Sequence, residues 1–371
     1  MKLSAFFRFL AAIVFSLLVQ SSFGQSIPEG DDPNLPPGWP WRGITIDSMS
    51  RGNSPAFVGY LKSQGANAVE LVLVLRDTAK YKKKSPAEVW DETIQWADWM
   101  LDACRDNGMV AMLSVSQFPV DPAYNLTQAS PEFWGTPAHL EEVVEIAERL
   151  AQHFKDRGRE LGAYEFLNEP LVRSSGKLRS PKAWPALMGR LVEAVRKHDP
   201  DRHIVLTAGF GGEASYYKTL EKPLPYDRII YGAHVYNPHE FTHQGIGENP
   251  RGKSWPGYVG IVRWDKDRLR KQLSPLIEFR KKYNVPVLVG EFSAVRWAEG
   301  ASQWICDAAS LFDENGFGWM YFAFNGYHGW NPNYDAIYSG NDTADFEKHR
   351  VGDQSERWRI MRSIYSRKCK S

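Results

Sequence analysis

The chain has 371 residues, 43% of them hydrophobic and 13% aromatic, with 45 basic against 44 acidic side chains. This composition supports a globular core and leaves no cationic excess for nucleic acid or anionic lipid, both of which are bound through clustered Lys and Arg. Three cysteines, Cys104, Cys306 and Cys369, exclude a disulfide framework, and the odd number leaves at least one unpaired within the chain. A Cys306–Cys369 pair is open, with nothing in the sequence to favour it.

At the N-terminus Lys2 and Arg8 precede the apolar run 9–19, and small residues follow at Ser22 and Gly24. That order suits a cleaved signal peptide over 1–24 and a secreted product; an uncleaved anchor is the competing reading. Without Lys2 and Arg8 the balance becomes 43 basic to 44 acidic residues. Residues 25–40, with Asp31-Asp32-Pro33-Asn34-Leu35-Pro36-Pro37-Gly38, read as a Pro/Gly-rich leader with no packed face.

Residues 41–371 read as one domain. Short β-rich runs at 43–46, 68–75, 110–115, 164–167, 204–207, 229–235, 287–289 and 317–322 alternate with helical patterns at 87–107, 139–154, 184–198, 266–283, 301–315 and 356–366. Eight strands separated mostly by helices imply a parallel sheet with right-handed crossovers, and closure into an α/β (β/α)8 TIM barrel is the economical arrangement. An open doubly wound sheet is the alternative, and no Gly-rich phosphate turn follows the first strand to support it. The helix-to-strand links are short, whereas 116–137, 236–263 and 324–353 are long exits on the C-terminal face, where barrel enzymes place their sites.

Strand 164–167 runs into Asn168-Glu169-Pro170, and strand 287–289 into Gly290-Glu291-Phe292. Two acids thus stand over one barrel mouth, and hydrolysis of a glycosidic bond needs two carboxyl groups flanking it. A strand-end Glu before Pro is by itself often only a surface carboxylate. The segments Phe166-Leu167-Asn168-Glu169-Pro170, Gly290-Glu291-Phe292 and His234-Val235-Tyr236 together resemble the strand 4, 7 and 6 signatures of family 5 glycoside hydrolases, the cellulase-like group.

The resemblance implies a retaining double displacement on a β-linked polysaccharide, with Glu169 as acid and then base and Glu291 as nucleophile. It further implies that Asn168 contacts the sugar hydroxyl beside the reacting carbon, and that His234 and Tyr236 line the cleavage subsite. No cofactor or metal is implied, since acid and nucleophile both come from the chain, and a monomer is expected. An endo-β-1,4-glucanase is the leading expectation; a β-mannanase, a xyloglucanase, a β-glucosidase or an inactive carbohydrate-binding barrel stay open.

Two departures from the family pattern stand out. Glu70 occupies the strand 2 position where an Arg usually supports the nucleophile, so either Arg42 or Arg76 supplies the cation from elsewhere, or Glu291 is held differently, or the activity is weakened. Phe322 stands where a sugar-stacking Trp is typical, with Trp330 able to fill that space, and the strand 3 exit Ser116-Gln117 lacks a frequent His. Glu165 shares strand parity with Glu169 and reads as a structural, inward acid.

The long exits hold Phe118, Tyr124, Phe133, Trp134, Trp255, Tyr258, Trp297, Tyr327, Trp330 and Tyr334, rings suited either to sugar stacking or to pinning their own loops. Trp96 and Trp99 read as helix core beside Trp90 and Met100. His234, His239 and His243 have a spacing that a metal site could use, although His234 already has a role. Asn125-Leu126-Thr127 and Asn341-Asp342-Thr343 are glycosylation acceptors only in a eukaryotic secretory pathway.

Overall fold

All eight runs read as strands bond side by side into one closed parallel barrel in the computed structural model, which describes residue 32 and residues 34–369 apart from 50–53, 121–125 and 340–342. The strands are β1 (Arg42–Asp47), β2 (Ala68–Val74), β3 (Val110–Gln117), β4 (Leu161–Phe166), β5 (His203–Thr207), β6 (Ile229–Val235), β7 (Val287–Phe292) and β8 (Gly318–Tyr321). They lie in chain order around the barrel, and β8 closes on β1. The signal peptide reading at 1–24, Tyr124, and the acceptors Asn125 and Asn341 lie outside the described residues.

Among the described residues seven helices of nine or more residues ring the barrel: α1 (Ala56–Gln64), α2 (Pro86–Asp106), α3 (Pro137–Phe154), α4 (Trp184–Arg196), α5 (Lys266–Tyr283), α6 (Ala301–Glu314) and α7 (Glu356–Tyr365). After β5 the crossover is reduced to the turn Gly209–Gly212 and the 3-10 helix Ala214–Lys218. Among the described residues no helix is long and apolar enough to cross a membrane. Helix α1, missed from sequence, is short, has no side-chain cap at its N-terminus and carries Gly59 inside. Helix α2 by contrast starts at a capping box, Ser85 with Glu88.

The expectation of a core role for Trp99 is corrected: it is exposed. The buried stripe of α2 runs Val89, Thr93, Ile94, Ala97, Met100, Leu101 and Cys104, at the three- and four-residue spacing that turns one face to the strands. Trp96 sits at the edge of this stripe and is half-buried, and Trp99 falls outside it.

The barrel is filled in layers. At its base Trp41 packs with Ala68, Val110, Met112, Ala163, Val205, Ile230, Leu288 and Met320, and Trp39 packs against this cluster from below. Contrary to the expectation for the leader, its last residues therefore do have a packed face. Trp41 Nε1 donates to Pro37 O at 2.8 Å, and His203 Nε2 lies 2.9 Å from Asn34 O. A Cβ on Gly318 would fall 2.8 Å from the Trp39 ring, so this glycine makes room for the plug. Removing a buried Trp typically costs about 3–5 kcal/mol, and Trp41 contributes on that scale.

Cys306 and Cys369 form a disulfide, Cα–Cα 5.6 Å, that fastens the segment after α7 to α6. Cross-links of this kind stabilise by about 2–4 kcal/mol. Cys104 is a buried free thiol whose pKa burial pushes up.

Candidate active site

Along a strand side chains alternate, so inward residues at the base fix which residues face the mouth. On β2 the inward set is Ala68 and Glu70; on β3 it is Val110, Met112 and Ser114; on β6 it is Ile230 and then His234, with Tyr236 continuing the parity beyond the strand. Two irregularities bring Glu291 and Asn168 into this frame. On β7, Leu288 points inward and Val289 outward, which by alternation would send Glu291 outward with Val289. A bulge at Gly290 breaks the register: Val289 pairs with Ala233, yet Glu291 pairs with His234. On β4, Leu167 adopts a left-handed conformation, φ 62°, and the two consecutive residues Asn168 and Glu169 both reach the mouth. Neither device was anticipated from sequence.

The site so assembled is tightly bonded. Asn168 Nδ2 donates to Glu291 Oε1 at 2.7 Å and Tyr236 OH donates to Glu291 Oε2 at 2.7 Å. His234 Nδ1 lies 2.9 Å from Glu169 Oε1 and 3.8 Å from Glu291 Oε2. Oxygens of Glu169 and Glu291 and a ring nitrogen of His234 all lie within 4.8 Å of one another. Glu291 is deeply buried, its side chain 9% exposed, whereas that of Glu169 is 38% exposed.

Beneath the two glutamates lies a floor of carboxyls. Thr45 Oγ1 donates to Glu70 Oε2 at 2.7 Å, Ser114 Oγ donates to Glu165 Oε2 at 2.7 Å, and Thr207 Oγ1 also donates to Glu165. Both acids are buried, so Glu165 is inward, as its parity suggests. Neither arginine proposed from sequence supplies a cation here. Arg42 pairs with Asp313, and Arg76 pairs with Asp77 and donates to Leu126 O. The side chain beside Glu291 that can take a positive charge is His234. Burial disfavours its charge, but Glu291, Glu169 and Glu165 outweigh that and push its pKa up to about 10.

Burial raises the Glu291 pKa, His234 opposes that shift, and Glu169 adds to it. The bonds from Asn168 and Tyr236 favour the anion. Burial and then Glu165 hold Glu70 well above the usual carboxylate range, with the Thr45 bond working the other way. Glu70 thus binds its proton more tightly folded than unfolded. Its contribution to stability is fully present below the ordinary carboxylate pKa and is lost as pH rises toward the folded-state value. Glu70→Gln keeps an acceptor for Thr45 and cannot ionise, so its melting temperature should gain on the parent's between about pH 4 and about pH 8. A parent that gains on the variant over that interval would mean that Glu70 is a paired anion.

A cavity of about 730 Å³ opens over the glutamates, within the usual range for ligand sites of about 300–1,000 Å³. Its polar wall comes from the exits of β2 and β3, with Arg76, Asp77, Gln117 and Gln128; its aromatic wall is Phe322, Tyr327 and Trp330. No residue between Leu171 and Glu291 lines it. Trp330 stands edge-on to Phe322, centroids 5.6 Å apart, and both line the cavity.

Other expected rings are elsewhere. Trp297 does not line the cavity; its Nε1 donates to Gln244 O at 2.7 Å and its ring packs on Tyr338 and His328. Phe118, Phe133, Trp134, Trp255 and Tyr334 are buried, and Tyr258 is exposed. His239 and His243 stack ring on ring, centroids 3.8 Å apart. Among the described residues the one set of three groups close enough to share a metal ion is Glu169, His234 and Glu291.

The model for cellulases, glycosyl hydrolase family 5, matches residues 33–328. The chain belongs to glycosyl hydrolase family 5. As a family 5 protein it is a cellulase-like O-glycosyl hydrolase, and a polysaccharide is its class of substrate. It is 27% identical over 266 residues to Endoglucanase C of Acetivibrio thermocellus, covering 63% of this chain and 74% of that one. Endoglucanase 3 of Fibrobacter succinogenes is 27% identical over 243 residues, which is 56% of this chain and 35% of the relative. The fold is shared with a hyperthermophilic endo-β-1,4-glucanase solved with substrate, at TM-score 0.61 and 24% identity over 79% of this chain and 91% of the other. It is also shared with a Thermotoga maritima protein solved with mannotriose, at TM-score 0.63 and 20% identity over 88% and 97%.

Proposed function

We propose that this family 5 protein is a secreted, retaining endo-β-1,4-glucanase. The observation that carries the mechanism is the closeness of the two carboxyl groups, with oxygens within 4.8 Å. Carboxyls about 5–5.5 Å apart suit a nucleophile, whereas inversion needs about 6.5–9.5 Å to admit a water between acid base and sugar.

Glu291 attacks the anomeric carbon as the bond to the leaving oxygen breaks, and Glu169 gives its proton to that oxygen. Ionised Glu169 then takes a proton from water, whose oxygen displaces Glu291 from the sugar, so two inversions give net retention. Asn168 and Tyr236 hold Glu291 aimed before attack. Asn168 Oδ1 is buried and has no partner, which suits it to accept from the hydroxyl beside the reacting carbon. The aromatic wall of Phe322, Tyr327 and Trp330 offers faces for the C–H surfaces of a β-linked chain. Secretion is supported by the leader-like residues 1–24 and by the Cys306–Cys369 disulfide, a bond that persists in oxidising compartments.

Reducing ends released from β-1,4-glucan, β-mannan, xyloglucan and xylan test the substrate. The expected result is the highest kcat/KM on the glucan. A preference for mannan, the sugar class found in one solved relative, would replace the glucan while leaving the mechanism in place. Binding of these polymers without cleavage would overturn the reading.

A further inference from the structure

The last ring of β8 belongs to the helix layer. Met320 points into the base of the barrel, so Tyr321 beside it points outward, where it is buried against Phe292 and Arg357. Its hydroxyl nevertheless reaches the mouth, donating to Trp330 O at 2.5 Å, nine residues further along the chain. Trp330 lines the cavity and lies against Tyr236, ring centroids 6.1 Å apart, and Tyr236 itself donates to Glu291. The aromatic wall of the site is thus hung from a hydroxyl behind it.

That hydroxyl is held in turn by α7. Arg357, in the first turn of the helix, donates from Nη1 to Tyr321 OH at 2.6 Å, and from Nη1 and Nη2 to Ala294 O, beyond β7, both at 2.9 Å. Arg357 is 4% exposed, and its bonds among the described residues all go to neutral oxygens. A buried charge without a counter-ion is costly, and an apolar side chain of similar volume would fill the space more cheaply. The position therefore carries a residue that stability alone does not select. Two other bonds run from the same turn, Ser355 Oγ to Pro332 O and Trp358 Nε1 to Asn333 Oδ1, but neither acceptor residue lines the cavity.

We infer that Arg357 is a positioning residue: through Tyr321 it fixes where Trp330 stands in the wall, and so how tightly the sugar chain is held before reaction. A Tyr hydroxyl has a single proton and turns to suit its partners. With Arg357 donating to the oxygen, that proton is left for Trp330 O. The guanidinium also polarises the hydroxyl, which strengthens its bond to the carbonyl. Without Arg357 the hydroxyl can turn elsewhere, and the backbone at Trp330 loses its fixed point.

The inference rests on the hydrolase reading, and steady-state kinetics on the full chain test it with cellotetraose, or with the tetrasaccharide of whichever polymer the parent prefers. The variants are Tyr321→Phe, which keeps the ring against Phe292 and removes only the hydroxyl, Arg357→Met, and the two combined. Each single substitution should raise KM about 3- to 10-fold, the scale of one aromatic contact, with kcat within about twofold of the parent. The double variant should be no worse than the worse single one, because both cut the same chain of bonds. A bond that only held the fold together would behave differently when lost: it would lower the fraction of active protein, and with it kcat, and leave KM in place. A KM for Tyr321→Phe within about twofold of the parent, or effects that multiply in the double variant, overturns the inference. If the parent hydrolyses none of the polymers, the hydrolase reading fails first and the inference falls with it.

Discussion

Replacing Glu291 by Gln should lower kcat on the best polysaccharide by about 10⁴-fold or more while substrate binding persists. The amide has nearly the shape of the carboxylate and accepts from one of the same donors, but it is no nucleophile. Asn168 and Tyr236 each donate to an oxygen of Glu291, so one of those bonds would face an NH2 group in the variant. Some loss of stability is therefore expected beside the loss of turnover. Isothermal titration with an oligosaccharide, alongside reducing-end release, separates the two effects. Turnover within about tenfold of the parent would mean that Glu291 does not attack the sugar, whatever its place in the fold.

Removal of Glu169 should behave differently. Glu169→Ala is expected to cost about 10²–10⁴-fold on polysaccharide, where the leaving oxygen needs a proton, and far less on an aryl glycoside whose leaving group departs as an anion. Azide should restore rate on the aryl substrate, because an anion needs no base to attack the glycosyl-enzyme. The product should be the β-glycosyl azide, since attack on an α-linked intermediate inverts it. An α-azide, or no rescue with either substrate, would count against the assignment of Glu169 and against retention. The geometry favours rescue: Glu169 is the more exposed of the pair, and truncation opens space toward solvent, not into the packed floor.

Much of this architecture is legible in the residues. Each of the eight β-rich runs is a barrel strand, because a strand buried on both faces reads as an unbroken apolar stretch between turn residues. The Asn-Glu-Pro and Gly-Glu-Phe segments do meet over one mouth. What was hidden lies in backbone irregularity and in contacts between distant segments. A left-handed Leu167 leaves no composition signal, since Leu is ordinary in strands and rare at positive φ. The bulge at Gly290 had one available sign, a glycine interrupting an apolar strand directly before an acid. Trp297 read as a sugar-binding ring, and Trp134 and Trp255 stayed open between stacking and pinning, because a ring count cannot separate a Trp that faces a cavity from one whose Nε1 is held by a neighbouring loop or side chain. Glu70 was visible as a departure from the family pattern, yet the place of His234 beside both catalytic glutamates needed distances.

The Gly290 bulge also sets what kinds of genetic change the protein tolerates. Substitution there has only to clear His234 Nε2, 3.3 Å from where a Cβ would stand. Loss of the residue would remove the bulge and leave strict alternation, with Val289 still outward and Glu291, now next along the strand, still at the mouth opposite His234. A lineage of such enzymes can therefore lose this one codon and keep its carboxyl in place, whereas a change that drew residue 290 into the regular ladder would turn Glu291 into the helix layer and leave a folded, inert protein.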